Sequence, residues 1–96
     1  MAELVWTEES ERWLKDIFEY ISGDNSEAAE SVVTGIYERA QTLAMFPESG
    51  YRYQGTSDDV RILQYGHYRI AYKVDGEKII VLGVFHGALA IERYLI

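Results

Sequence analysis

The sequence predicts an α+β fold: an N-terminal short strand and an antiparallel helical hairpin packed on one face of a curved, mainly antiparallel sheet. Apolar residues recur with a helical period from residue 8 to residue 46, and with a strand period from residue 60 onward. The dipeptides Gly66-His67 and Asp75-Gly76 provide the tight turns between the later strands. With 96 residues, the chain is expected to form a single domain over residues 1–96.

The first half of the chain predicts one strand followed by two helices. Residues 4–6 form a short apolar run, and Thr7 is suited to cap the helix that follows. Asp24, with Glu27 three residues later, predicts the start of the second helix, and Pro47 marks its end. Because only about three residues link the helices, they are expected to form a hairpin. The apolar side chains predicted to face the core are Leu14, Ile17, Phe18, Ile21, Ala29, Val33, Ile36, Ala40 and Leu43.

The second half predicts the sheet. Residues 60–65, 68–74 and 78–86 are expected to form three strands, with a short edge strand near residues 51–53. Residues 88–96 are expected to add a final helical turn or two.

If both hairpins have two-residue loops, strand side chains separate onto two faces. The face assigned to the helices is apolar apart from Arg61 and includes Phe85. The other face is expected to be open, with an apolar centre and a basic rim, and such a surface on a small domain usually binds a partner. This open face is predicted to carry Ile62, Arg69, Ile80, Leu82, Val84 and His86. The residues predicted to contact a protein partner are Arg52, Arg61, Ile62, Arg69, Ile80, Leu82 and Val84.

Composition and charge exclude several classes of protein. The net charge is −7, and residues 1–48 carry 11 acids against 3 bases, so sequence-specific DNA binding by this chain alone is not expected. The absence of cysteine excludes disulfides and thiolate metal sites, and no metal or other cofactor is expected. The N-terminus has acids where a secretory signal has bases, and no apolar run is long enough to cross a membrane. We therefore expect a cytoplasmic protein with no membrane partner.

Arg69 and His86 are the candidate catalytic residues, because a histidine can act as general acid or base in phosphodiester cleavage while an arginine stabilises the developing charge. The alternative for His86 is a ring that only caps the sheet. Arg61 and Arg69 could hold a phosphate or an acidic peptide, or could pair with glutamates of the helices. Arg52 lies between two tyrosines that could stack on bases or simply pack against protein. These residues alone indicate a small α+β binding domain.

Several segments occur together in a recognisable order. They include the helix at residues 14–21, the spaced Leu43, Pro47 and Gly50, and the strand segments at 68–72 and 81–87. In this order and spacing, the chain resembles toxins of the RelE/ParE superfamily from type II toxin–antitoxin modules. The resemblance implies a growth-arresting toxin that a co-expressed antitoxin holds inactive. RelE-like members are ribosome-dependent mRNA endonucleases, whereas ParE-like members inhibit DNA gyrase and are not nucleases.

Three hypotheses follow from this resemblance. The helix pair and the Leu43, Pro47 and Gly50 spacing favour a ParE-like inhibitor of DNA gyrase. The alternative is an mRNA endonuclease acting on the ribosome, since Arg69 and His86 match the arginine and histidine of a YoeB-like site, although the glutamate of such a site has no secure counterpart. The third is a degenerate, non-toxic member that only binds the antitoxin. In each case an amphipathic segment of the antitoxin is expected to cover the open face and to place a carboxylate on Arg69.

Overall fold

The computed structural model describes residues 2–55 and 59–87, and its architecture confirms the predicted α+β class. The strands form one sheet in the order β1-β5-β4-β3-β2, in which β1 runs parallel to β5 and the other neighbours are antiparallel. The helical segment expected at residues 88–96 lies outside the described residues. The elements are β1 (Glu3–Trp6), α1 (Glu8–Ser22), α2 (Ser26–Gln41), a 3₁₀ turn (Thr42–Ala44), β2 (Tyr51–Arg52), β3 (Arg61–Tyr65), β4 (Tyr68–Asp75) and β5 (Lys78–His86).

Both helices begin at side-chain caps. Thr7 caps α1 as predicted: its Oγ1 accepts from the backbone N–H of Ser10 at 3.0 Å and donates to the carbonyl of Val81 at 2.8 Å. The cap of α2 is one residue later than predicted, because Asn25 rather than Asp24 has the extended backbone and accepts from the N–H of Ala28 at 3.1 Å. The bond from Thr7 to Val81 also fixes the start of α1 to the sheet.

The two helices cover one face of the sheet and form with it the helix-side core. Ala29, Ile36 and Ala40 of α2 are buried as predicted, but the valine packed against the core is Val32 and not the predicted Val33. Trp6 of β1 stacks on Tyr37 with ring centroids 5.4 Å apart. Phe18 was wrongly assigned to the core, because it is 39% exposed, and Ser10 is the buried residue of α1. The fully buried members of this core are Ile36, Ala40, Leu43, Leu63, Ile70, Tyr72, Ile79, Val81 and Val84.

A β-bulge in β5 changes the predicted faces of the sheet. The β3–β4 register is the predicted one, with Leu63 opposite Ile70. The β4–β5 turn is Gly76-Glu77 rather than Asp75-Gly76, and Gly76 has the positive φ of 62° that a tight turn requires. Farther along, the register shifts by one residue at Leu82. Because strand side chains alternate in direction, this single extra residue moves every later side chain of β5 to the opposite face.

The bulge makes the prediction of an open apolar face wrong. Val84 is paired with Ile70 and is fully buried in the helix-side core. Phe85, which was assigned to the helix side, instead lies on the other face. There it forms the second-face cluster, whose buried members are Val60, Ile62, Ala71 and Phe85.

Candidate functional site

Arg69 and His86, the predicted catalytic pair, point to opposite faces of the sheet. Arg69 lies across from Phe85 on the second face, whereas His86 lies across from Tyr68 on the helix side. The His86 ring meets that of Tyr68 edge-on at 5.6 Å, and the Arg69 Nη2 donates to the carbonyl of Gly87 at 3.4 Å. The prediction that the two side chains share a face is therefore wrong, and the bulge at Leu82 is the reason.

His86 lines an apolar groove between α1 and the ends of β4 and β5. The groove has a volume of about 480 Å³, and its lining residues are Trp13, Asp16, Ile17, Tyr20, Tyr68, Val84 and His86. Sequence reasoning missed this groove because it placed Val84 and His86 on the other face. The available signal was the spacing of Trp13, Ile17 and Tyr20 at i, i+4 and i+7, which forms a second apolar edge along α1.

Tyr72 and Arg61 hold the anchored loop, which comprises residues 47–50. The Tyr72 hydroxyl accepts from the N–H of Gly50 at 2.9 Å and donates to the carbonyl of Pro47 at 2.8 Å. Burial raises the pKa of Tyr72 above its usual value, which further favours the protonated hydroxyl that donates to Pro47. Arg61, on the helix-side face as predicted, donates through Nη1 to the carbonyl of Gly50 at 3.0 Å. The guanidinium of Arg61 thus stabilises this loop.

The other predicted binding residues differ in accessibility. Arg52 is well exposed on the edge strand β2, and its ion pair with Asp59 at 3.3 Å is exposed on both sides, which makes it weak. Ile62 is only 1% exposed and belongs to the second-face cluster. Ile80 and Leu82 are partly buried on the second face, as is Arg69. These last three residues each keep some accessible surface.

Neither a metal-binding cluster nor a membrane-spanning helix occurs among the described residues. Within residues 2–55 and 59–87, no three His, Asp or Glu side chains are grouped so that they could hold a metal ion. Over the same residues, no helix has the length and hydropathy needed to span a bilayer.

Comparison with known proteins identifies the family. A family model for the ParE toxin of the type II toxin–antitoxin system parDE matches residues 4–90, which include both helices and nearly all of the sheet within the described residues. The fold is similar to a solved structure of a chromosomal ParDE toxin–antitoxin system from P. aeruginosa. The TM-score is 0.75 at 24% identity, and the alignment covers 90% of this chain and 96% of that one. No match was found among curated proteins. The family match over residues 4–90 shows that this chain belongs to the ParE toxin family of type II toxin–antitoxin systems, within the RelE/ParE superfamily.

Proposed function

We propose that this chain is a toxin that binds and inhibits DNA gyrase, and that a cognate antitoxin relieves the inhibition. The observation that carries the proposal is the ParE family match over residues 4–90, since the ParE-like branch is the gyrase-inhibiting one. The positions of Arg69 and His86 support binding over RNA cleavage. A general acid–base histidine and a charge-stabilising arginine must reach the same phosphate, and here their side chains leave opposite faces of the sheet.

Two assays of the purified chain distinguish the hypotheses. One follows DNA supercoiling by gyrase, and the other follows mRNA cleavage on translating ribosomes. We expect loss of DNA supercoiling by gyrase, with mRNA on translating ribosomes left intact. We expect His86→Ala to inhibit gyrase as strongly as the unaltered chain, because no acid–base step is involved. Unaffected supercoiling together with mRNA cut in the ribosomal A site would contradict the proposal and favour the endonuclease. In that case His86→Ala should reduce cleavage by about 10²–10⁴-fold. Activity in neither assay would indicate a degenerate member that binds only the antitoxin.

For the antitoxin, we propose a binding surface on the second face of the sheet, made by Arg69, Ile80 and Leu82. All three keep accessible surface, and Lys73 adds a second positive charge on the same face of β4. An amphipathic antitoxin segment would cover the two aliphatic side chains and place a carboxylate on the Arg69 guanidinium. A charge-assisted bond of this kind is directional and loses its stabilisation when either partner changes sign.

Arg69→Glu is expected to weaken the toxin–antitoxin complex by about 10-fold or more, because the new carboxylate would lie against the carboxylate of the antitoxin. The matched control is Lys15→Glu, an equal charge reversal at an exposed position of α1, which should leave the affinity within about twofold. The affinity is measured by isothermal titration calorimetry, with thermal unfolding of each variant to confirm the fold. An Arg69→Glu variant that is folded and binds normally would exclude this surface.

A further inference from the structure

Large apolar side chains are exposed where the chain leaves α2. Met45 is 65% exposed, Phe46 62% and Val74 of the adjacent strand end 37%. With Pro47 they form the apolar end patch, defined as Met45, Phe46, Pro47 and Val74. A shallow concavity of about 590 Å³ is lined by Phe46, Pro47, Val74, Glu48 and Ser49. An exposed cluster of this kind on a small domain is a recognised feature of interaction sites.

Hydrogen bonds hold the patch in place. The N–H groups of Met45 and Phe46 both donate to the carbonyl of Thr42, at 3.2 and 3.0 Å, and that of Ser49 donates to the carbonyl of Phe46 at 3.1 Å. The carbonyl of Pro47 is bound by the buried Tyr72 hydroxyl. Met45 and Phe46 are therefore presented to solvent by an ordered backbone. A partner that binds such a preformed surface loses little free energy in ordering it.

The rim of the patch is mainly acidic. Glu48 lines the concavity, and Asp75 and Glu77 lie at the β4–β5 turn just beyond Val74. Glu3 lies beside this turn, since its N–H donates to the carbonyl of Glu77 at 2.8 Å. The nearby bases are Lys78, opposite Glu3 and Asp75, and Arg61, whose Nη2 is 4.0 Å from Glu48. Glu48 thus lies in the concavity itself, and Asp75, Glu77 and Glu3 lie at the turn next to it.

We propose that the apolar end patch binds a basic amphipathic segment of a protein partner. Its apolar side chains would cover Phe46 and Met45, and its lysines or arginines would face Glu48 and the carboxylates of the turn. The acidic rim repels phosphates, which favours a polypeptide over a nucleic acid or an anionic membrane. The patch is separate from the surface proposed for the antitoxin, because Val74 projects from the helix-side face of β4, whereas Arg69, Lys73 and Ile80 lie on the second face. It is also independent of the gyrase proposal.

A synthetic peptide tests this inference on the full chain. The probe is an amphipathic lysine–leucine helix of about 18 residues, and a glutamate–leucine peptide of the same pattern is its control. We expect the lysine peptide alone to bind by fluorescence anisotropy, with amide chemical-shift changes confined to residues 43–49 and 73–77. Phe46→Ser and Glu48→Lys should each weaken binding by about fivefold or more, through loss of apolar contact and through charge reversal respectively.

Two matched variants separate the patch from the general acidity of the chain. Phe18→Ser removes another exposed phenylalanine and Glu19→Lys reverses another exposed charge, both on α1, and each should change the affinity by less than about twofold. The inference would be overturned if Glu19→Lys and Glu48→Lys lowered the affinity for the lysine peptide equally. It would also be overturned if the amide chemical-shift changes were spread along the helices. Binding of the glutamate peptide, or binding of phosphatidylserine vesicles or duplex DNA in place of the lysine peptide, would overturn it as well. Thermal unfolding confirms that each variant is folded.

Discussion

Gly50→Ala is expected to destabilise the protein by about 2–4 kcal/mol, a large share of the stability of a small domain. A Cβ at this position would lie 2.7 Å from both the carbonyl oxygen of Ile62 and the hydroxyl of Tyr72, and 2.8 Å from the Tyr72 ring. The Ile62 carbonyl belongs to the β3 backbone, so it cannot move aside without disturbing the sheet. Moving Tyr72 instead would break its bonds to Gly50 and Pro47, which are buried or partly buried.

Gly23→Ala is the matched control for Gly50→Ala. Gly23 ends α1 with an ordinary helical φ of −57°, and a Cβ there would lie no closer than 3.5 Å to its nearest neighbour, a backbone carbonyl. The free energy of unfolding of the Gly23→Ala variant should therefore stay within about 0.5 kcal/mol of that of the starting protein, or rise slightly. Urea unfolding followed by tryptophan fluorescence measures both variants. Equal stability of the two alanine variants would contradict the tight contact around Gly50.

Phe85→Ala is expected to lower the free energy of unfolding by about 3–5 kcal/mol, because removing this buried ring leaves a cavity in the core. Phe85 is buried in the second-face cluster, and its ring meets the edge of Trp13 on α1 with centroids 4.7 Å apart and planes at 61°. The loss removes both the burial of the ring and this aromatic contact. At about 4–8 °C per kcal/mol, the melting temperature should fall by at least about 12 °C.

Phe46→Ala provides the comparison for Phe85→Ala, since it deletes the same side chain at a largely exposed position. Its melting temperature should change by less than about 4 °C. Near-ultraviolet circular dichroism should also lose a Trp13 signal in the Phe85 variant alone. Equal melting temperatures of the two variants would show that Phe85 is not a core residue.

The anchored loop gives a physical reason for the spacing of Leu43, Pro47 and Gly50. Leu43 is buried in the helix-side core, while the carbonyl of Pro47 and the N–H of Gly50 both bind the Tyr72 hydroxyl. The proline ends the helical region, and the glycine leaves room for the tyrosine. These residues set the path of the chain from α2 into the sheet, so their spacing is informative about the fold more than about catalysis.

Local patterns were sufficient for much of the architecture. The helical period placed α2 against the sheet, and Thr7 was identified as a cap because a hydroxyl before a helix satisfies its free N–H groups. The β3–β4 hairpin was also predicted in its correct register, since Gly66 supplies the positive φ of 58° that a two-residue turn between regular strands requires. The misplaced Phe18 reflects the limits of periodicity, which does not show how wide a face the rest of the molecule covers.

The sequence by itself determined the fold class, the helix pair, the strand order along the chain and the family resemblance, because these depend on short-range spacing and turn chemistry. Only the tertiary structure decided which face each residue after Leu82 occupies, and therefore that Arg69 and His86 are separated. Gly83, next to the bulge, is the one local signal, since an isolated glycine within a strand is typical of a bulge, but it does not fix which register the pairing with β4 and the packing of the core select. In a strand with a period of two, one extra residue reverses inside and outside, so the candidate site could be assigned only from the folded molecule.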